Sequence, residues 1–141
     1  MNPSLPNVDY AFLEEFLVRL LNTPSPTGFT EQAIALVQGA LEALPGLSLR
    51  RTRKGALLAT LPGPEVEPVR ALTAHVDTLG AMVKSIKPKG RLALTAIGGF
   101  AWGSLEGEGC TVFTQTGGIV RGSLLPNHAS VHVYTDVKDA K

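Results

Sequence analysis

His75 and Asp77 stand two positions apart at the end of the apolar run Ala71-Leu72-Thr73-Ala74. A histidine delivered by the end of a strand can hold a metal ion through one ring nitrogen. A carboxylate two residues on can take the other ring N–H and so fix which nitrogen keeps its lone pair. The pair therefore makes His75 a candidate metal ligand and Asp77 a candidate for the carboxylate that serves catalysis by setting the ring. The same triplet also suits an ordinary hydrogen-bonded pair, and an aspartate after a strand also serves as a turn former or helix cap. What surrounds the triplet decides between these readings.

The other side chains with chemical potential read more simply. His128 follows the loop residues Pro126-Asn127, and His132 alternates with Val131 and Val133 on an expected strand, so neither is given a metal. Cys110 has no neighbouring histidine or basic cluster to activate its thiol, and it reads as a packing residue at the start of a strand. Phe100 and Trp102, beside Gly98-Gly99, are expected to pack against a barrel rather than to line a substrate wall. Gly98-Gly99 and Gly117-Gly118 lack the spacings of dinucleotide and phosphate loops, so no nucleotide is implied.

The elements that would position His75 follow from periodicity. Phe12, Leu13, Phe16, Leu17, Leu20 and Leu21 recur at helical spacing after the caps Asn7 and Asp9. Thr23-Pro24-Ser25-Pro26-Thr27-Gly28 cannot continue that helix, because each proline removes a donor and restricts the residue before it. A rigid loop is expected there. A second helix from about Thr30 has Ile34, Val37, Leu41 and Leu44 on one face and ends at Pro45-Gly46. Residues 47–50, 56–61 and 70–75 then read as three strands, the third apolar enough to lie buried in an α/β layer with His75 at its end. Beyond Gly80 the character changes to short β segments at 81–86, 91–96, 111–114, 118–123 and 130–134, with hairpin signals at Lys87-Pro88-Lys89-Gly90 and Thr116-Gly117-Gly118. The expected fold class is α/β: a partial αβα layer over residues 1–85, then a small β-barrel-like domain over 86–141. That second part should hold no helix longer than two turns.

Composition limits the function. In 141 residues, 13 basic side chains against 12 acidic ones leave a net charge of +1, too little to neutralise a phosphate backbone. The basic cluster Arg50-Arg51-Thr52-Arg53-Lys54 falls between two expected strands, has no aromatic platform beside it and reads as a solvated turn, so no nucleic-acid partner is expected. A single cysteine rules out an intrachain disulfide or a thiolate zinc site and suits a reducing compartment. Residues 1–7 lack the basic and apolar regions of a signal peptide, and no apolar stretch approaches the roughly 20 residues of a membrane span. A cytoplasmic address and no membrane are expected.

Taken in series, Thr23-Pro24-Ser25-Pro26-Thr27-Gly28-Phe29-Thr30-Glu31, Ala74-His75-Val76-Asp77-Thr78-Leu79-Gly80-Ala81-Met82-Val83, Ile97-Gly98-Gly99-Phe100, Gly118-Ile119-Val120-Arg121-Gly122 and Pro126-Asn127-His128 resemble the amino-terminal portion of the M42 metallo-aminopeptidases, the group of the glutamyl and tetrahedral aminopeptidases. The likeness runs from about Asp9 to the last residue. One departure is local, since members usually carry an acidic residue where this chain has Thr78. The resemblance implies a peptide substrate and two divalent ions, zinc or cobalt. It also implies a β-domain inserted after the His-x-Asp strand that helps build a homo-oligomer. It further implies a bridging aspartate, a Glu-Glu pair, another acidic ligand and a late histidine. After His75 the carboxylates are Asp77, Glu106, Glu108, Asp136 and Asp139, with no adjacent acidic pair. The chain is therefore expected to be a fragment that binds metal weakly and does not turn over peptide alone. Two other readings remain at this point: a related dinuclear deacylase or carboxypeptidase, and a non-catalytic assembly protein.

Overall fold

A computed structural model describes residues 7–64, 69–128 and 132–133. By compactness the chain divides into two units, 1–98 and 99–141.

The first unit opens with helix α1, Tyr10–Leu21. Asp9 starts it: its Oδ1 accepts the Phe12 N–H at 3.0 Å, satisfying one of the donors that a helix N-terminus leaves unpaired. Asp9→Ala is expected to destabilise the unit by about 1 kcal/mol, read as a shift of the urea midpoint at unchanged slope. At the other end the Thr23 hydroxyl donates to the Arg19 carbonyl at 2.8 Å and Asn22 Nδ2 to the Val18 carbonyl, also at 2.8 Å. The proline-bearing loop then stops the helix as expected. Helix α2, Glu31–Glu42, buries Ala33.

Two antiparallel hairpins complete the unit. Strand β1, Ser48–Arg51, pairs with β2, Leu57–Thr60, with Ser48 opposite Thr60 and Arg51 opposite Leu57. Their turn is held by Thr52, whose N–H donates to the Ala56 carbonyl and whose hydroxyl oxygen accepts the Ala56 N–H. Arg53 and Lys54 are exposed on this turn, as the reading of the basic cluster requires. Arg51 is not merely solvated: its Nε donates to Gln38 Oε1 at 2.7 Å and its Nη1 lies 3.1 Å from Glu31 Oε2, tying β1 to α2. Strand β3, Gly80–Ile86, pairs with β4, Leu92–Ile97, with a register shift between Val83 and Ser85. The connection through Pro88–Gly90 carries positive φ at Lys89 (61°) and Gly90 (71°), the geometry its glycine signalled.

In the second unit, β5, Gly109–Phe113, pairs with β6, Ile119–Ser123, across a turn with Gly117 at φ 82°. Cys110 lies on β5, half-buried, its sulfur facing Gly122. Between residues 91 and 128 the helical content is confined to one 3-10 turn, Trp102–Leu105.

Four expectations need correction or qualification. Residues 70–75 form no strand: no described strand pairs with them, and Leu72 is fully exposed at 102%. An apolar run states which side chains favour burial, but a strand also needs a backbone partner, and periodicity does not name one. Among the described residues no barrel closes: the strands form three separate open two-stranded sheets. Closure requires each edge to find a neighbour, and among the described residues each hairpin pairs only with itself. Phe100 and Trp102 pack on each other, edge to face at 4.9 Å, with Trp102 still largely exposed, rather than on a barrel wall. Of the expected strand 130–134, residues 130, 131 and 134 lie outside the described residues, and His132 and Val133 lie in a turn.

Among the described residues only Ala33 and Ser25 are fully buried. Phe12 and Phe16 stack on α1 at 5.7 Å, and with Leu13, Leu17 and Leu20 they line an open apolar trough. A large apolar side chain left in water forgoes roughly 1.5–3 kcal/mol of burial. The predicted helix face is therefore present, but nothing described here covers it.

Candidate metal centre

The segment that carries His75 is tied to the loop after α1. The Thr78 N–H donates to the Ser25 carbonyl at 2.7 Å, which makes an isolated parallel bridge between Pro26 and Thr78. The Phe29 N–H closes the loop onto the Pro26 carbonyl, also at 2.7 Å. Ser25 is 1% exposed, and its hydroxyl has no hydrogen-bond partner among the described residues. Gly80 lets the two segments approach, since a Cβ there would stand 2.6 Å from Pro26 Cβ. A ring carbon of proline cannot swing aside as the end of a long side chain can. Gly80→Ala is therefore expected to push the loop off and to destabilise the unit by about 1–3 kcal/mol, measured by chemical denaturation against wild type.

On this frame His75 Nδ1 lies 3.0 Å from Asp77 Oδ1, and the Thr27 hydroxyl donates to Asp77 Oδ2 at 2.6 Å. The hydrogen bond from Thr27, then that from His75, hold the Asp77 carboxyl below its ordinary pKa, against a smaller opposing effect of burial. Asp77 is thus ionised at neutral pH. Because its pKa is depressed by folding, these contacts favour the folded chain above the ordinary carboxylate pKa and are lost as acidification protonates it. An ionised carboxylate only accepts, so neutral His75 must carry its proton on Nδ1, leaving the Nε2 lone pair free. The His75 side chain is 84% exposed, so Nε2 is open to a metal.

One imidazole with its tautomer set fits one ligand position of a metal centre. It does not make a centre, and among the described residues no group of three or more His, Cys, Asp or Glu side chains is placed to hold an ion. The structure brings together His75 and Asp77, the two residues singled out from the sequence, and adds Thr27 and Ser25. Thr27 was visible only as part of a rigid loop. Fifty residues separate it from Asp77, and a hydroxyl in a proline-rich turn signals no partner at that range.

Comparison with known proteins places the chain in a family. The family model for M42 glutamyl aminopeptidase matches residues 55–141, and this chain belongs to that family. This places it apart from the related deacylases and carboxypeptidases. It is 46% identical over 127 residues to "Putative aminopeptidase YhfE" of Bacillus subtilis (strain 168), an alignment covering 90% of this chain and 36% of that protein. The fold is similar to the crystal structure of the TET aminopeptidase from the marine sediment archaeon Thaumarchaeota archaeon SCGC AB-539-E09, with a TM-score of 0.77 at 22% identity over 95% of this chain and 36% of that one. The chain thus spans little more than a third of the length of either relative.

Proposed function

We propose that this chain serves a two-metal aminopeptidase that removes amino-terminal residues from peptides, with His75 binding one ion through Nε2 and Asp77 fixing its ring. The observation that carries the reading is the bond from His75 Nδ1 to Asp77, which leaves the exposed Nε2 as the only ring acceptor. Family membership and the 46% identical relative support the reaction class. When bound, the divalent ions, zinc or cobalt, lower the pKa of water and polarise the scissile carbonyl. Within this chain, His75 would hold an ion through the Nε2 lone pair, and Asp77 accepts a hydrogen bond from Nδ1–H, which keeps the proton on Nδ1 and raises the basicity of the ring.

The remaining ligands and the general base come from residues outside the described set, because no group there is placed to supply them. The 141-residue chain alone does not turn over peptide. Residues 86–141 belong to a β-domain through which the complete enzyme self-associates. Strands β5 and β6 form an open two-stranded sheet among the described residues, which supports that role. No described helix is long and apolar enough to cross a membrane, and we place the enzyme in the cytoplasm on the strength of the single cysteine in these 141 residues.

The test is release of amino-terminal residues from peptides by the complete enzyme. Hydrolysis that a chelator abolishes and zinc or cobalt restores is the expected result. A complete enzyme with no chelator-sensitive hydrolysis contradicts the reading and favours a non-catalytic assembly role.

A further inference from the structure

The loop between α1 and α2 is fixed on both sides of Thr27. Upstream, Ser25 is buried and its carbonyl accepts the Thr78 N–H; downstream, the Phe29 N–H returns to the Pro26 carbonyl. Pro24 and Pro26 restrict the backbone further. Thr27 is itself β-branched and so stiff about χ1. Its hydroxyl is thus delivered from a backbone with little freedom, and it meets Asp77 Oδ2 at 2.6 Å while Oδ1 faces His75 Nδ1 at 3.0 Å.

We propose that Thr27 is a positioning residue of the metal site, its hydroxyl locking the Asp77 carboxylate in the orientation that holds the His75 proton on Nδ1. This rests on the ligand role assigned to His75 above. Asp77 lies on an irregular segment with no strand pairing of its own, so it needs an outside group to stop its carboxylate rotating. With both oxygens engaged, rotation about χ2 breaks two hydrogen bonds at once. With Oδ2 free it breaks only one, and the ring can then exchange tautomers. The Thr27 hydroxyl is engaged by Asp77, so it acts through Asp77 and His75.

Thr27→Val keeps the shape and removes the hydroxyl, Thr27→Ser keeps the hydroxyl, and Thr23→Val removes a hydroxyl of the same loop that caps α1 and does not reach Asp77. Two readouts are needed. The first is the His75 ring nitrogen-15 shifts in the metal-free full chain, which report the tautomer. The second is the cobalt(II) affinity of the complete enzyme. Thr27→Val is expected to raise the Nε2–H tautomer severalfold and to weaken cobalt binding about tenfold, while Thr27→Ser stays within about twofold of wild type and Thr23→Val matches it. If Thr27→Val leaves tautomer and affinity unchanged beside a His75→Ala that has lost cobalt, the positioning role alone is overturned. It is equally overturned if Thr27→Ser or Thr23→Val does the same damage as Thr27→Val. A His75→Ala enzyme with wild-type cobalt affinity overturns the ligand reading, and the positioning role with it.

Discussion

His75→Ala in the complete enzyme is expected to lose one metal and about a thousandfold in kcat, with the fold unchanged. The magnitude follows from the reaction class. Lewis-acid stabilisation by a bound ion is worth several kcal/mol at the transition state, and each 1.4 kcal/mol or so is a factor of ten in rate. The preserved fold follows from the position of the side chain. At 84% exposure His75 packs against almost nothing, and surface substitutions of this kind stay within about 0.5 kcal/mol. Metal content by mass spectrometry, kcat and the denaturation midpoint together separate loss of a ligand from loss of structure. A variant with two metals and normal turnover contradicts the assignment.

Asp77→Asn is the second large effect, expected at about 10–100-fold in metal affinity or activity. The substitution preserves volume but exchanges one of two accepting oxygens for an N–H2 donor. If the amide nitrogen faces His75, Nδ1 must become the acceptor. The proton then moves to Nε2, the nitrogen the metal needs. If the amide oxygen faces His75, the nitrogen faces the Thr27 hydroxyl, which must turn to accept, and the charge that raised the basicity of the ring is gone in either case. Both arrangements weaken the ligand, so the loss should persist at saturating substrate. An Asp77→Asn enzyme with wild-type metal affinity and rate contradicts the role given to Asp77.

What was legible in the sequence was local. The two helices and the hairpins followed from periods of 3.6 and 2, from Asp9 as a cap, and from glycines at turns that the structure places at positive φ. The His75–Asp77 pair was legible for the same reason, since two positions in sequence suffice to bring the side chains together. The run at 70–75 was misread, and the barrel is not seen among the described strands; both depend on which distant segments pair, and apolar patterning is silent on that. Thr27 belongs to the same class. Its meaning arises only when the Pro26–Thr78 bridge brings a loop and the segment that carries His75 into contact. Gly80 carries a trace of this contact, since the absence of a side chain there is explained by the proline it faces and by nothing within its own strand.

The most direct test of the account is where the metal binds His75. In crystals of the complete enzyme loaded with zinc, anomalous scattering at the zinc edge is predicted to place an ion about 2.0–2.1 Å from His75 Nε2, with Nδ1 still bonded to Asp77 and Asp77 still accepting from Thr27. An ion on Nδ1, or a zinc centre that leaves His75 without a metal, contradicts it.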